Sequence, residues 1–227
     1  ETAEIKEFVE ARLAAPVRYV INTHYHADHV LGNAAFPGAT ILGHRLSRDL
    51  MGTRARAALQ AASEQNRTLQ SVELVLPGIV IESGTMSLRV GKRTLEILAL
   101  PGHSPDGIGV LVNEDRVLFS GDAVMPLPYF VDGDLEDMLA SLKRIPRLKL
   151  ENLVQGHGEV VLRGEIQNAV RSNINYLTAL KRHVSRASRR KDPEAALREI
   201  TIEECGKSRI LLGGVAGELH RRNLVAL

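Results

Sequence analysis

Six consecutive residues, His24-Tyr25-His26-Ala27-Asp28-His29, carry three imidazoles and one carboxylate. All four are metal-ligand types, and their adjacency has no common structural explanation. The run directly follows Val17 to Thr23 (VRYVINT), a short stretch rich in β-branched residues that predicts a strand. The ligands therefore belong to a strand-end loop, where rigid elements present chemistry. In an extended segment His24 and His26 point the same way, whereas Asp28 and His29 fall where the chain turns into a helix. That division suits two neighbouring metals better than one.

Three more residues share the same context. His103 lies in Pro101-Gly102-His103-Ser104-Pro105, Asp122 in Ser120-Gly121-Asp122, and His157 in Gly156-His157-Gly158. Each follows a predicted strand and adjoins a glycine, which permits sharp turns and close backbone approach. Ser104 lies beside His103 but lacks the elbow motif of a serine hydrolase.

The elements that must position these residues are readable in outline. Thr2 to Ala15 predicts an amphipathic helix stopped by Pro16, and Ala39 to Gly43 a second strand. Arg45 to Gln70 predicts a helix with a break near Gly52. Strands are expected over 78–82, 86–90, 94–100, 108–112, 117–120 and 152–155, with hairpin turns at Gly91-Lys92 and Asn113-Asp115. Helices are expected over 135–145, 165–190, 193–200 (opened by Asp192) and 214–227. The order predicts one layered α/β or α+β domain over residues 1–227, with helices on a mostly antiparallel or mixed sheet.

Taken together, His24, His26, Asp28, His29, His103, Asp122 and His157 resemble the signature of the metallo-β-lactamase fold superfamily: His-x-His-x-Asp-His, then His, bridging Asp and His. The resemblance runs from about Val17 to Gly158. It implies a four-layer αββα sandwich and a dinuclear zinc hydrolase. It also implies that His24, His26 and His103 hold one metal, that Asp28, His29 and His157 hold the other, and that Asp122 bridges them. Imidazole and carboxylate donors suit zinc and would also accept iron or manganese. Asp28 and Asp122 would be the catalytic carboxylates, and a metal-bridging hydroxide the nucleophile. The family begins with strands that precede the first helix here, so the resemblance implies an N-terminally incomplete domain.

Neighbouring residues narrow the substrate. Asp122 replaces the Cys of the best-known lactamase class, and Ala123-Val124-Met125-Pro126-Leu127 lacks the Gly-Cys-Gly-Arg run of glyoxalase II and persulfide dioxygenases. Met125 stands where acyl-homoserine lactonases often have Tyr, and His26 replaces the Glu of the di-iron flavoproteins. The expectation is cleavage of a small ester, lactone, thioester or lactam. Two other readings use the same residues: a phosphodiesterase or nuclease of this fold, and a non-catalytic scaffold held by its metals. Tyr129 and Phe130 would line the mouth or pack in the core. His44 is expected to make a local hydrogen bond rather than ligate.

Composition restricts partners. Of 227 residues, 44% are hydrophobic and 25% charged, which describes an ordinary globular chain. The net charge of +2 does not point to nucleic acid, and residues 163–191, with eight Lys/Arg against Glu165, read as a solvated helix face. No apolar run reaches the roughly 18 residues of a spanning helix, so a small-molecule partner is expected. One cysteine, Cys205, excludes an internal disulfide and reads as a buried small hydrophobe. Glu1 is not a methionine, so compartment stays open: cytoplasm is favoured, with periplasm or secretion if a signal was removed.

Overall fold

A computed structural model describes residues 2–13 and 15–227. The chain forms two compact units, Glu1–Thr85 and Met86–Leu227. Among the described residues no helix is long and apolar enough to cross a membrane.

The first unit holds three short strands, β1 (Tyr19–Ile21), β2 (Thr40–His44) and β3 (Ile79–Ile81), in the order β1-β2-β3. Both pairings are parallel, with Ile21 opposite Leu42 and Leu42 opposite Ile79. Strand direction in this small sheet was not legible in the sequence. Parallel neighbours need crossover connections, and helices supply them. Helix α2 (Ala27–Val30) lies between β1 and β2, and α3 (Arg45–Leu50) and α4 (Arg56–Gln65) lie between β2 and β3. The expected break near Gly52 is a π-helical turn over Met51–Ala55. Helix α1 (Thr2–Phe8) continues as a π-helical turn over Val9–Leu13; Ala14, inside the predicted helix, lies outside the described residues. Tyr25, Val30, Met51 and Ala55 form a small buried cluster, with Leu50, Leu74 and Leu76 packed on it.

The second unit is built on a six-stranded sheet in sequence order. Its strands are β4 (Thr85–Val90), β5 (Arg93–Ala99), β6 (Ile108–Val112), β7 (Val117–Gly121), β8 (Asn152–Gln155) and β9 (Val161–Leu162). The pairs β5–β6 and β6–β7 are antiparallel, β7–β8 is parallel and β8–β9 antiparallel. It follows that β5, β7 and β8 run the same way, and their C-terminal ends share one edge of the sheet. Helix α5 (Leu135–Arg144) intervenes between β7 and β8, as a parallel pair requires. Asp134 caps it by accepting from the Asp137 amide at 2.9 Å.

Helix α6 (Arg163–Ala187) buries Ile166, Val170, Asn173, Leu177, Leu180, Val184 and Ala187. Their alternating spacing of four and three residues forms one stripe on a 3.6-residue helix. With Leu98, Leu111, Leu118 and Leu153 of the strands and Met138 and Leu142 of α5, that stripe makes the unit's core. Arg171, Lys181, Arg182, Arg186, Arg189, Arg190 and Lys191 are exposed, so the basic run is a solvated face. Helix α7 (Pro193–Arg198) is opened by Asp192, which accepts from the Ala195 amide at 3.0 Å, and α8 (Ala216–Val225) closes the chain. Cys205 is buried, and burial pushes its thiol up to about 11.

Candidate functional site

In the first unit the ligand loop leaves β1 through Asn22, which is 2% exposed. The Asn22 side chain makes a reciprocal amide pair with Asn33, each Nδ2 donating to the other's Oδ1 at 2.9 Å. Asn22 Nδ2 also donates to the His29 carbonyl at 3.2 Å, and Asn33 Nδ2 to the Val75 carbonyl at 2.9 Å. Both ends of the loop are thereby tied to one buried amide pair. Neither asparagine was legible as a site residue, because nothing in an isolated Asn marks its partner. Inside the loop the His24 ring lies 4.7 Å from the His26 ring and 4.1 Å from the His29 ring, centre to centre. His24 is 2% exposed, and its Nδ1 meets Thr23 Oγ1 at 3.1 Å. His29 Nε2 lies 3.3 Å from Asp28 Oδ2, and Asp28 is exposed. The four predicted ligands of this segment are thus gathered in one loop.

In the second unit His103, Asp122 and His157 follow β5, β7 and β8, the three strands whose C-terminal ends share an edge. Asp122 is 5% exposed, and its Oδ2 lies 3.4 Å from His103 Nε2 and 3.4 Å from His157 Nε2. His103 Nδ1 lies 2.7 Å from the Tyr129 carbonyl. A carbonyl only accepts, so Nδ1 carries a proton, and Nε2 is the ring nitrogen left to offer a lone pair to a metal. That is how proteins orient a metal-binding imidazole and raise its basicity. A second carboxylate-side constraint comes from Gly156. A Cβ there would stand 1.8 Å from Asp122 Oδ1, so the site requires glycine at this position. Tyr129 contributes its backbone carbonyl and packs its ring 5.9 Å from that of His103, while Phe130 is buried in the core. Ser104 is fully buried, which removes it as a nucleophile.

The segment that carries the Tyr129 carbonyl is held by a buried polar network. Asn223 of α8 donates to the Pro128 carbonyl at 2.8 Å and to the Tyr176 hydroxyl at 3.2 Å, and accepts from the Phe130 amide at 3.3 Å. The Tyr176 hydroxyl meets His220 Nδ1 at 3.0 Å, and His220 Nε2 lies 3.1 Å from the Ile200 carbonyl. The carbonyl fixes a proton on Nε2, and in the neutral ring Nδ1 accepts from the tyrosine hydroxyl. Burial pushes its pKa below the ordinary value of 6.5. The folded state therefore binds fewer protons here than the unfolded chain. Stability from this network should be complete above about pH 6.5 and fall as pH drops below it. Urea unfolding of wild type and His220→Gln between about pH 8 and pH 5 checks this. The stability difference between them should shrink toward low pH; a constant difference would contradict a neutral His220.

His44 is a local hydrogen-bonding residue, as expected: its Nδ1 accepts from the Leu46 amide at 3.1 Å and caps α3.

A family model described as the metallo-beta-lactamase superfamily matches residues 2–161. The chain belongs to that superfamily. Among its curated relatives, a beta-lactamase-like protein 2 homolog of Caenorhabditis elegans is 26% identical over 145 residues, covering 64% of this chain and 43% of the relative. A hydroxyacylglutathione hydrolase of Methylococcus capsulatus is 29% identical over 143 residues, covering 60% of this chain and 46% of the relative. The chain thus spans less than half the length of these two relatives. A solved metallo-beta-lactamase family protein from Thermus thermophilus matches with a TM-score of 0.63 and 16% identity, over 92% of this chain and 72% of that one. This likeness establishes the α/β metallo-beta-lactamase fold for the chain.

Proposed function

We propose that this metallo-beta-lactamase superfamily member is a dinuclear zinc hydrolase that cleaves a small ester, lactone, thioester or lactam. The carrying observation is the donor set: every position of the family signature is filled, and each half of it is held by its own buried scaffold. His24, His26 and His103 would hold one ion, Asp28, His29 and His157 the other, and Asp122 both. These imidazoles and carboxylates fit zinc, and the Tyr129 carbonyl leaves His103 Nε2 as a donor in the correct tautomer. Bound zinc ions supply Lewis acidity and lower the pKa of water toward neutrality.

The chain's own residues do the remaining work. The Asn22–Asn33 pair and the Tyr129 carbonyl hold the imidazoles at fixed angles, so little reorganisation accompanies reaction. Asp122, nearly excluded from solvent, places its carboxylate between two imidazoles, and exposed Asp28 is available to orient an attacking water.

A mostly apolar cavity of about 360 Å³ adjoins His26, walled by Tyr25, Leu31, Ala58, Leu59 and Leu69, with Arg54 also on its wall. The predominance of apolar side chains suits the hydrocarbon part of an acyl substrate. The name of the Methylococcus relative, a hydrolase of hydroxyacylglutathione, supports the same substrate type.

Steady-state assays of the zinc-supplemented protein on p-nitrophenyl acetate, a γ-lactone, an acyl thioester and bis(p-nitrophenyl) phosphate test the reading. At least one carbonyl substrate should exceed the phosphodiester by roughly a hundredfold in kcat/KM. Preference for the phosphodiester would support the nuclease reading. A zinc-loaded protein without activity on any of the four would support the scaffold.

A further inference from the structure

Helix α8 lies beyond residues 2–161, the stretch that matches the superfamily, yet it reaches the candidate metal site through one side chain. Asn223 is fully buried. Its Nδ2 donates to the Pro128 carbonyl at 2.8 Å, and its Oδ1 accepts from the Phe130 amide at 3.3 Å. A carbonyl only accepts and a backbone amide only donates, so these two contacts fix which way the Asn223 side chain is turned. Asn223 thus takes the backbone groups on either side of Tyr129. The Tyr129 carbonyl itself is left to His103, whose Nδ1 lies 2.7 Å away.

The imidazole has anchors of its own. Ser141 Oγ of α5 donates to the Pro101 carbonyl at 2.7 Å, and the Asp134 amide, at the start of α5, to the Gly102 carbonyl at 3.0 Å. Ring and carbonyl are therefore held separately, the ring's loop by α5 and the carbonyl's segment by α8. Both helices are seated in the same core, α5 through Met138 and Leu142 and α8 through Leu224. A neutral imidazole can carry its proton on either nitrogen, and a proton on Nε2 occupies the lone pair that a metal needs. How well the Tyr129 carbonyl meets Nδ1 decides how much of His103 is ready to ligate. Asparagine offers a donor and an acceptor in one short planar group, whereas leucine has neither and serine is too short to span both backbone groups.

We propose that Asn223 is a positioning residue of the metal centre: it sets the Tyr129 carbonyl that keeps the His103 proton on Nδ1, and through it the affinity for the ion that His103 would hold. The affinity part rests on the metal-site reading above; the tautomer part does not.

Two measurements on the full chain test this, with Asn223→Leu and Asn223→Ser as variants and Leu180→Ala as the control. Leu180 is fully buried in the same core, and its side chain has no hydrogen bond to lose. The first measurement is nitrogen NMR of the histidine rings after chelation of metal, at about pH 8, where imidazole is neutral. The His103 signal is identified by its absence in His103→Gln. Wild type and Leu180→Ala should carry the His103 proton on Nδ1. Both Asn223 variants should show a clear Nε2-protonated population at His103, with His44 unchanged. An unchanged His103 signal in both would overturn the proposal.

The second measurement is competition for zinc against a chromophoric chelator. The Asn223 variants should lose about tenfold or more in affinity for one ion per chain, the scale set by loss of an outer partner of a ligand. Leu180→Ala should stay within about twofold of wild type despite its lower Tm. Equal losses in all three variants, or none in any, would overturn a positioning role, because an effect through the fold alone follows Tm. If wild type binds no zinc, the metal reading fails while the histidine spectrum still decides whether Asn223 sets the His103 proton. If neither Asn223 variant unfolds cooperatively, Asn223 serves folding and the proposal falls.

Discussion

Asp122→Ala is expected to reduce turnover by about three powers of ten or more while leaving the protein folded. Asp122 is the carboxylate on which His103 and His157 converge, each with Nε2 at 3.4 Å from its Oδ2. Its removal leaves two imidazoles without the anionic donor proposed to join both ions, so zinc content should fall with activity. The hydrophobic core and the network through Asn223 do not use Asp122, so cooperative unfolding should persist. His44→Ala is the internal control. His44 also stands at a strand end and is near the motif in sequence, but its Nδ1 caps α3 through the Leu46 amide. Losing that cap costs about 1 kcal/mol of stability, with activity reduced by less than about tenfold. Steady-state rates and zinc content on the same samples decide the matter. Near wild-type turnover in Asp122→Ala, or joint loss of metal and activity in His44→Ala, would refute the ligand assignment.

Gly102→Ala should have the largest effect on folding. Gly102 has φ +134°, a region that L side chains rarely adopt. A Cβ at Gly102 would stand 2.2 Å from Met138 Cα and 2.4 Å from Met138 N, both backbone atoms of α5. The Gly102 carbonyl accepts from the Asp134 amide at 3.0 Å, so the loop and the start of the helix cannot separate cheaply. A strained φ and a backbone clash together predict destabilisation of about 3 kcal/mol or more. His103, the next residue, should lose its alignment with the Tyr129 carbonyl. Gly164→Ala is the contrast: a Cβ added there, at the start of α6, would meet nothing within 4 Å, so stability should change by less than about 0.5 kcal/mol. Urea unfolding of both variants tests the pair, and wild-type stability in Gly102→Ala would contradict the close approach.

The candidate ligands stand out in the sequence because their types are rare and their context repeats. Strands β6 and β8 match their predicted ranges, the break near Gly52 is a π-helical turn, and Asp192 caps the helix it was expected to open. What escaped the sequence has a shared physical cause. The proton on His103 is placed by the backbone carbonyl of Tyr129, 26 residues away, and any residue would supply that carbonyl. The Asn223 bond to the Phe130 amide spans 93 residues, and the Tyr176–His220 contact spans 44. Local pattern carries no trace of such pairings. The parallel first sheet escaped for a related reason: strand direction follows from where helices cross over, and β1 and β3 contribute only three residues each. Strand β9, with two residues, is too short for periodicity to register.

The central claim is that seven side chains serve one pair of metals. Elemental analysis of the purified, zinc-supplemented chain tests it most directly. The account predicts about two transition-metal ions per chain, mainly zinc, because seven donors exceed the four of a single tetrahedral site. Less than about half an ion per chain would contradict it, and a predominance of iron would move the chemistry from hydrolysis toward oxygen.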